Sequence, residues 1–472
     1  MRLRYAGRIL GFIVAAQLAV SCGTSTEPSG NGEITAASVT VQPDSVDLWL
    51  RGTTVLEVVA MDSEGNVLSG RAFSFSSSAN QVATVDTAGV VTAVSEGSTT
   101  VTVTVDGVQT TTDVTVSGLD FVSVTAGSHH TCALTGSGQA YCWGMNTGGE
   151  LGVGELSRFA GEPALVSGDL TWSVIGAGGR GSCAVTTAGV PYCWGSSRYG
   201  TITESTYRYG FSPEAVPGDL TFDAIAAGSY FAIGLNSAGE AYSWGSNFSA
   251  TLGRLAGTDD SIPGLVNGSL VFEEISAASR HSCGVVAGGD AYCWGEDEYG
   301  QLGDGSRGVN PNPGMVSGGL EFQAVTAGSR HTCGITIASD MYCWGGNEHG
   351  QLGNGSTSDT TSPAMVSGGH RFQSATASLW HTCGVTTTGV AYCWGWNEYG
   401  VLGDGTTAGR SEPTAVSGGL VFKHLAAGFT HTCGLTDSNT LYCWGSDDSG
   451  QLGSGGRYGP LTETPVLVNG SR

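Results

Sequence analysis

Lysine is almost absent from this 472-residue chain: Lys423 is its only copy. Charged residues of all kinds make up 12% of the sequence, and the formal net charge is −23. A chain this acidic and this poor in cations lacks the basic footprint that phosphate backbones demand, which argues against nucleic acid as a partner. Charge is also too sparse for the polar faces of a coiled coil or helical bundle, and 77 glycines would weaken such helices throughout. Long apolar runs are missing after residue 20, so no later segment reads as a spanning helix of about 18 apolar residues or more. Disorder is excluded by a 40% hydrophobic content and by 40 aromatic side chains spread along the chain. What remains abundant is Gly with Val, Thr, Tyr and Trp. That is the vocabulary of many short strands joined by tight turns, and it points to an all-β protein.

The first 21 residues read as a targeting segment. Arg2, Arg4 and Arg8 precede an apolar stretch, Ile9 to Val20, which is too short to span a membrane. Leu18-Ala19-Val20-Ser21-Cys22-Gly23 resembles a bacterial lipoprotein signal. The resemblance implies a lipid on Cys22, a flexible tether over 22–33, and a site at the outer membrane or cell surface. The alternative is an ordinary secretory signal with an incidental cysteine. Either is extracytoplasmic. Removing 1–21 leaves 15 cations against 41 acids, a net charge of −26.

Residues 34–117 carry about seven short alternating segments. They are Ser38–Val41, Val46–Leu50, Thr54–Ala60, Ala72–Ser76, Val82–Val85, Val90–Val94 and Ser98–Val105. Turn signals at Arg51-Gly52, Ala88-Gly89 and Asp106-Gly107 separate several of them, which suggests a sandwich. Val82-Ala83-Thr84-Val85, then Gly89 to Val94, then Gly97, resembles a group 2 bacterial Ig-like domain. The segment has no cysteine and no convergent polar cluster, so it reads as a spacer.

From 118 to 472 the chain repeats itself. A Trp-Gly pair recurs at Trp143, Trp194, Trp244, Trp294, Trp344, Trp394 and Trp444, with spacings of 51 and then 50 throughout. An aromatic opens each unit at Phe121, Trp172, Phe222, Phe272, Phe322, Phe372 and Phe422. Seven units of about 40–50 residues, each the size of four strands, specify a seven-bladed β-propeller. The final strand near Val466 to Val468 is expected to close the ring by pairing with strands from the start of the repeat region.

The unit's wording is specific. Met341-Tyr342-Cys343-Trp344-Gly345, Asn347 and Gly350-Gln351-Leu352-Gly353-Asn354-Gly355 resemble the repeat of the regulator of chromosome condensation family. The resemblance implies the propeller fold; in eukaryotic members it implies guanine nucleotide exchange on a small GTPase. The cysteine-bearing version looks like that of secreted bacterial members, and a secreted β-lactamase inhibitory protein resembles the same propeller.

Twelve of the 13 cysteines form six pairs ten residues apart. Cys132 goes with Cys142, Cys183 with Cys193, Cys283 with Cys293, Cys333 with Cys343, Cys383 with Cys393 and Cys433 with Cys443. The third unit has Ile233 and Ser243 instead, so both partners vanish together, as members of one disulfide should. A zinc site of His331, Cys333 and Cys343 is the rival reading. His130, His281, His331, His381 and His431 recur at one position and read as packing residues rather than catalysts. No metal or cofactor is expected. The Gly-Gln-Leu-Gly loops lack the lysine of a phosphate-binding loop.

Function hides in the positions that differ. Just before the histidine position stand His129, Arg180, Tyr230, Arg280, Arg330, Trp380 and Thr430. On a channel rim these would suit an anionic or aromatic group; otherwise the arginines lie over their own blades. Glu298, Glu348, Glu398 and Asp448 form an acidic arc that attracts cations or is merely solvated loop tip. Units two and three gain Tyr199, Tyr207, Tyr209, Phe211, Tyr230, Phe231 and Phe248, an aromatic sector that marks an interface unless it is drift. The combined reading is a monomeric, non-catalytic binding or adhesion scaffold for a protein or polysaccharide. The alternatives are an exchange factor, a hydrolase inhibitor, or an enzyme if the acidic arc gathers around a histidine.

Overall fold

The computed structural model describes residues 34–155, 157–196, 209–254, 260–456 and 459–472, and every regular element in them is a strand. The targeting segment, Cys22 and its tether, and the candidates Tyr199 and Tyr207 lie outside the described residues.

Residues 38–117 hold nine strands rather than seven: β1 (Ser38–Gln42), β2 (Ser45–Trp49), β3 (Thr53–Val55), β4 (Glu57–Met61), β5 (Ser74–Ser77), β6 (Ala83–Val85), β7 (Val90–Ala93), β8 (Gly97–Val105) and β9 (Val108–Ser117). The stretch read as one strand, Thr54–Ala60, changes sheet at Leu56. That side chain is buried and its N–H donates to Gly89 O (2.9 Å), so β3 pairs β7 while β4 pairs β1. The strand that the apolar pattern does not show is β9, whose alternation is carried partly by threonine. Thr112 is buried, with its hydroxyl satisfied by Pro43 O at 2.9 Å. The sheets run β2-β9-β8-β5 and β3-β7-β6, with β1-β4 beside them, around a core of Val41, Val46, Leu56, Val91, Val101, Val103 and Val114.

Beyond residue 120 come seven four-stranded antiparallel sheets, strands in chain order, one per repeat unit. The first comprises Phe121–Ala126, His130–Thr135, Ala140–Met145 and Phe159–Leu165; the last comprises Phe422–Ala427, His431–Thr436, Leu441–Asp447 and Gly459–Leu467. Each innermost strand packs on that of the next sheet, and the seventh packs on the first, so the sheets form a closed ring around a channel.

The repeated residues explain the stacking. All seven Trp-Gly tryptophans are fully buried, and Trp344 Nε1–H donates to Gln301 O of the preceding sheet (3.0 Å), as Trp394 does to Gln351 O (2.9 Å). The indole needs the Gly that follows the Gln-Leu pair. At Gly353, with φ of +67°, a Cβ would stand 2.5 Å from Trp394 Nε1.

Within each unit but the third, a disulfide crosses the hairpin of the second and third strands. Cys132 is bonded to Cys142, Cys183 to Cys193, Cys283 to Cys293, Cys333 to Cys343, Cys383 to Cys393 and Cys433 to Cys443. Each pair stands directly opposite in the strand register, with Cα atoms 4.0–4.1 Å apart, which is why a separation of ten residues recurs without exception.

Ring closure differs from the expectation. Gly459–Leu467 pairs only with Leu441–Asp447, so no strand is exchanged with the start of the repeat region. The cause is register: each unit's frame coincides with the four strands of its own sheet and leaves none over. The seam uses the device of the other junctions instead. Thr131 Oγ1 donates to Gln451 O (3.0 Å) and meets His431 Nε2 (2.8 Å). Leu119 N–H donates to Gly470 O (2.6 Å).

The sandwich clamps that seam. Gly470 N–H donates to Leu50 O (2.9 Å), Arg51 Nη1 to Ser471 O (2.8 Å), and Arg472 pairs with Glu96 (2.8 Å). Trp49 meets Tyr141 edge-on at 5.7 Å. These residues lie at the end of the ring that holds the unit junctions, so the other end faces away from the sandwich.

Candidate functional site

The innermost strand of each sheet is an edge whose N–H groups need acceptors. The preceding sheet supplies them: Ala177 N–H donates to Thr125 Oγ1 (3.1 Å), Ala327 N–H to Ser276 Oγ (3.0 Å) and Val325 N–H to the Glu274 carboxylate (3.1 Å). Backbone bonds between neighbouring turns, such as Ser128 N–H to Gly178 O (3.2 Å) and Ser329 N–H to Ser378 O (2.9 Å), tighten the channel at its far end. The channel is narrow and lined by Ala, Gly and Ser.

Just outside that constriction, on the end away from the sandwich, a cleft of about 500 Å³ opens over sheets three to five. Tyr230, Arg280 and Arg330 reach it from the turns between first and second strands. Phe248, Glu296, Glu298 and Tyr299 reach it from the loops after the third strands, and Leu379 and Phe429 line it from sheets six and seven. Phe429 also lines the channel, so it lies at the floor.

The arginines do not form a free cationic ring. Arg280 pairs with Glu296 at 3.0 Å; Arg330 pairs with Glu348 at 3.1 Å and lies 4.7 Å over the Tyr299 ring. Arg180 sits close enough to the buried Glu150 to oppose the rise that burial gives its carboxyl. The reading of an open site for an anionic group is thus corrected: Arg280 is paired with Glu296, outside the acidic arc, and Arg330 with one arc member, Glu348.

Other candidates go elsewhere. Trp380 turns to Trp396 (5.3 Å) and His349 (5.4 Å), while Tyr209 stacks on Phe211 at 6.4 Å on the outer strand of sheet two. Glu348 touches His349 at 3.5 Å, but Glu298 is the only arc member lining the cleft. Glu296, Tyr299, Trp396, Leu379 and Phe429 escaped the sequence reading. Their signal is variability at three further repeat positions: the residue after Trp-Gly, the fourth residue after that Gly (Tyr299), and the residue two before the histidine.

The histidines are structural couplers. His281 Nε2 meets Thr332 Oγ1 (2.8 Å), His331 meets Thr382 (2.7 Å), His381 meets Thr432 (3.0 Å), and His130 meets Ser182 (2.9 Å). Thr332 spends its own proton on Gln301 O (2.8 Å), so His281 Nε2–H is the donor. Burial holds His130, His281, His331 and His381 down to about 3.

The cysteines are structural as well. Cys142, Cys193, Cys293, Cys343, Cys393 and Cys443 each spend their sulfur on the facing strand of their own sheet, so none is a thiolate open to a ligand. The zinc alternative is thereby corrected, since Cys333 and Cys343 are bonded to each other and His331 serves Thr382. Among the described residues no three His, Cys, Asp or Glu gather to hold a metal.

A family model described as RCC1-like domain matches residues 57–378, and models of the regulator of chromosome condensation (RCC1) repeat match 373–401, 422–451 and 388–435. The chain belongs to the RCC1-like domain family. The longest match starts inside the sandwich, whereas the RCC1-like sheets begin at Phe121. Over 86 residues the chain is 34% identical to the ultraviolet-B receptor UVR8 of Arabidopsis thaliana, covering 18% of this chain and 20% of that one. Over 89 residues it is 29% identical to human HERC4, a probable E3 ubiquitin-protein ligase, covering 18% of this chain and 8% of the ligase. It thus spans a fifth or less of those relatives' lengths.

Among solved structures, human WBSCR16 matches with a TM-score of 0.64 and 18% identity over 70% of this chain and 94% of that one. Yeast RCC1 (Prp20), bound to Kap60, matches at 0.60 and 20% over 68% and 81%. Prp20p of Saccharomyces cerevisiae, described with its binding to Gsp1p and histones, matches at 0.60 and 19% over 68% and 84%. At these identities the likeness shows the fold, an RCC1-like propeller.

Proposed function

We propose that the chain is a non-catalytic binding or adhesion scaffold displayed at the cell envelope. It is a seven-bladed propeller carried on a group 2 bacterial Ig-like spacer and held by a lipid on Cys22. The observation that carries this reading is the cleft's position: it opens at the end of the ring opposite the sandwich, where a tethered protein presents it outward. Catalysis finds little support there. Burial pushes Glu274 up to about 7 and Asp297 and Asp447 up to about 6, yet none of these carboxyls lines the cleft.

The partner is a protein or a polysaccharide. Protein binding is how the solved yeast relatives are described, which favours a recognition role for the ring in general. Nucleotide exchange would need a cytoplasmic GTPase, which the amino-terminal signal argues against. Inhibition of a secreted hydrolase draws on the same cleft aromatics and stands as the second reading. Two measurements test the proposal. Cys22→Ser should move the protein from the membrane fraction to the soluble fraction, and unchanged membrane association refutes the lipid anchor. The full chain should retain a ligand from envelope extract or from immobilised polysaccharide; retention of neither refutes the scaffold.

A further inference from the structure

Within that binding reading, we infer that the cleft recognises a neutral, polyhydroxylated saccharide chain. Three observations converge on this chemistry. The first is charge. Arg280 is matched by Glu296 and Arg330 by Glu348, and Glu298 adds a second carboxylate to the lining, so an anionic ligand competes with carboxylates for the arginines and a cationic ligand competes with the arginines for the carboxylates. An uncharged hydroxyl displaces neither. It donates to a carboxylate lone pair still open to it and accepts from a spare guanidinium N–H, and a pair of vicinal hydroxyls does both at once.

The second observation is aromatic surface. Phe248 is 85% exposed at the cleft's lip and Tyr230 is 36% exposed. The C–H face of a sugar ring is apolar and releases water when laid on such a ring, while its hydroxyls stay at the edge where the ion pairs stand.

The third is shape. The cleft is a concave site that runs down to Phe429 at the mouth of the channel. Its volume of about 500 Å³ is that of a small-molecule site. Beside it the same end of the ring carries an aromatic file, His349–Trp380–Trp396–Tyr399, with successive centroids 5.1 to 5.4 Å apart. A cleft with such a file on the same end of the ring suits a polymer rather than a single sugar.

The test titrates the full chain with a linear N-acetylglucosamine hexamer, a linear glucose hexamer and an anionic polygalacturonate oligomer, followed by tryptophan fluorescence and calorimetry. A neutral hexamer should bind with an affinity that holds from about 50 to about 500 mM salt, since no charge is neutralised. Phe248→Ala and Tyr230→Ala should each weaken it by about tenfold or more, and Phe248→Trp should retain it. The melting temperature of Phe248→Ala should match the parent's, because Phe248 is exposed.

Tighter, salt-sensitive binding of polygalacturonate overturns the neutral-ligand inference. Equal binding of a neutral hexamer by Phe248→Ala overturns the assignment to this cleft. If no saccharide binds while the chain retains an envelope protein, the saccharide inference fails and the scaffold reading stands. Retention of nothing defeats both.

Discussion

In the fifth sheet Cys333 and Cys343 face one another and are bonded, and His331 hands its Nε2–H to Thr382 of the sixth. In the third sheet Ile233 and Ser243 face one another in the same register, Ser243 Oγ donates to Leu252 O (2.6 Å), and Phe231 stands where the histidine would be. One sheet is locked by a covalent bond and a polar relay to its neighbour. The other is held by packing, with Phe231, Ile233, Leu252 and Trp294 in one buried cluster. The sheet that gave up both devices is also the one that lends Tyr230 and Phe248 to the cleft. In a repeat protein, departure from the shared wording therefore marks both a different means of stabilisation and the place where a surface has been specialised.

Acid should expose this difference most strongly. Buried His130, His281, His331 and His381, held down to about 3, and His431, well below 6.5, stay neutral in the fold while the unfolded chain protonates them near 6.5. Their contribution to stability is therefore lost as pH falls from about 6.5 toward 3. Burial acts oppositely on Glu274, raised to about 7, and on Asp297 and Asp447, raised to about 6. Their folded forms hold protons that the unfolded chain releases until the pH falls to about 4.5 or below, and they offset part of the histidine loss in that window. Below about pH 4 the offset ends and the histidine loss stands alone, so stability falls more steeply with pH. Denaturant midpoints measured from pH 7 to 3 should fall gently and then steeply. His331→Phe, which copies the third sheet, should reduce the steep slope by about one proton.

Exchanging the locks is the next largest perturbation. Cys333→Ile with Cys343→Ser should cost ~2–3 kcal/mol, the loop-closure value for a ten-residue separation. Ile233→Cys with Ser243→Cys should add a similar amount, because those positions already pair as the cysteines do. Urea melts under oxidising and reducing conditions measure both, and no gain from the new pair would mean that packing in the third sheet forbids the bond.

A smaller effect compares the closing seam with an ordinary junction. Thr332→Val removes the acceptor of His281 and the donor to Gln301 O; Thr131→Val removes the same pair of bonds at the seam. Each should cost ~1–3 kcal/mol. Equal losses mean the seam is one junction among seven. A much smaller loss at Thr131 would assign closure to the sandwich clamp.

The seven units are legible in the sequence because one spacing repeats and because both cysteines leave the third unit together. Closure at the seam is not, since the offset between unit and sheet depends on hydrogen-bond register, which the repeat wording does not encode. The cleft is half legible. Tyr230, Arg280, Arg330 and Phe248 stand out as variable positions, yet Trp380 shares a position with three of them and turns aside to Trp396 and His349. The pairing of Arg330 with Glu348 joins two variable positions that sequence treats as separate, and only the fold brings them within 3.1 Å.

Recognition at the cleft is tested by two double variants of the full chain, compared for binding the ligand that the parent retains. Tyr230→Ser with Phe248→Ser alters the cleft, while Ile337→Ser with Val390→Ser alters exposed apolar residues in the turns at the opposite end of the ring. The cleft variant should lose about tenfold or more in affinity, and the opposite variant should bind as the parent does. Full binding by the cleft variant, with loss in the other, would contradict the account and place recognition on the end that carries the sandwich.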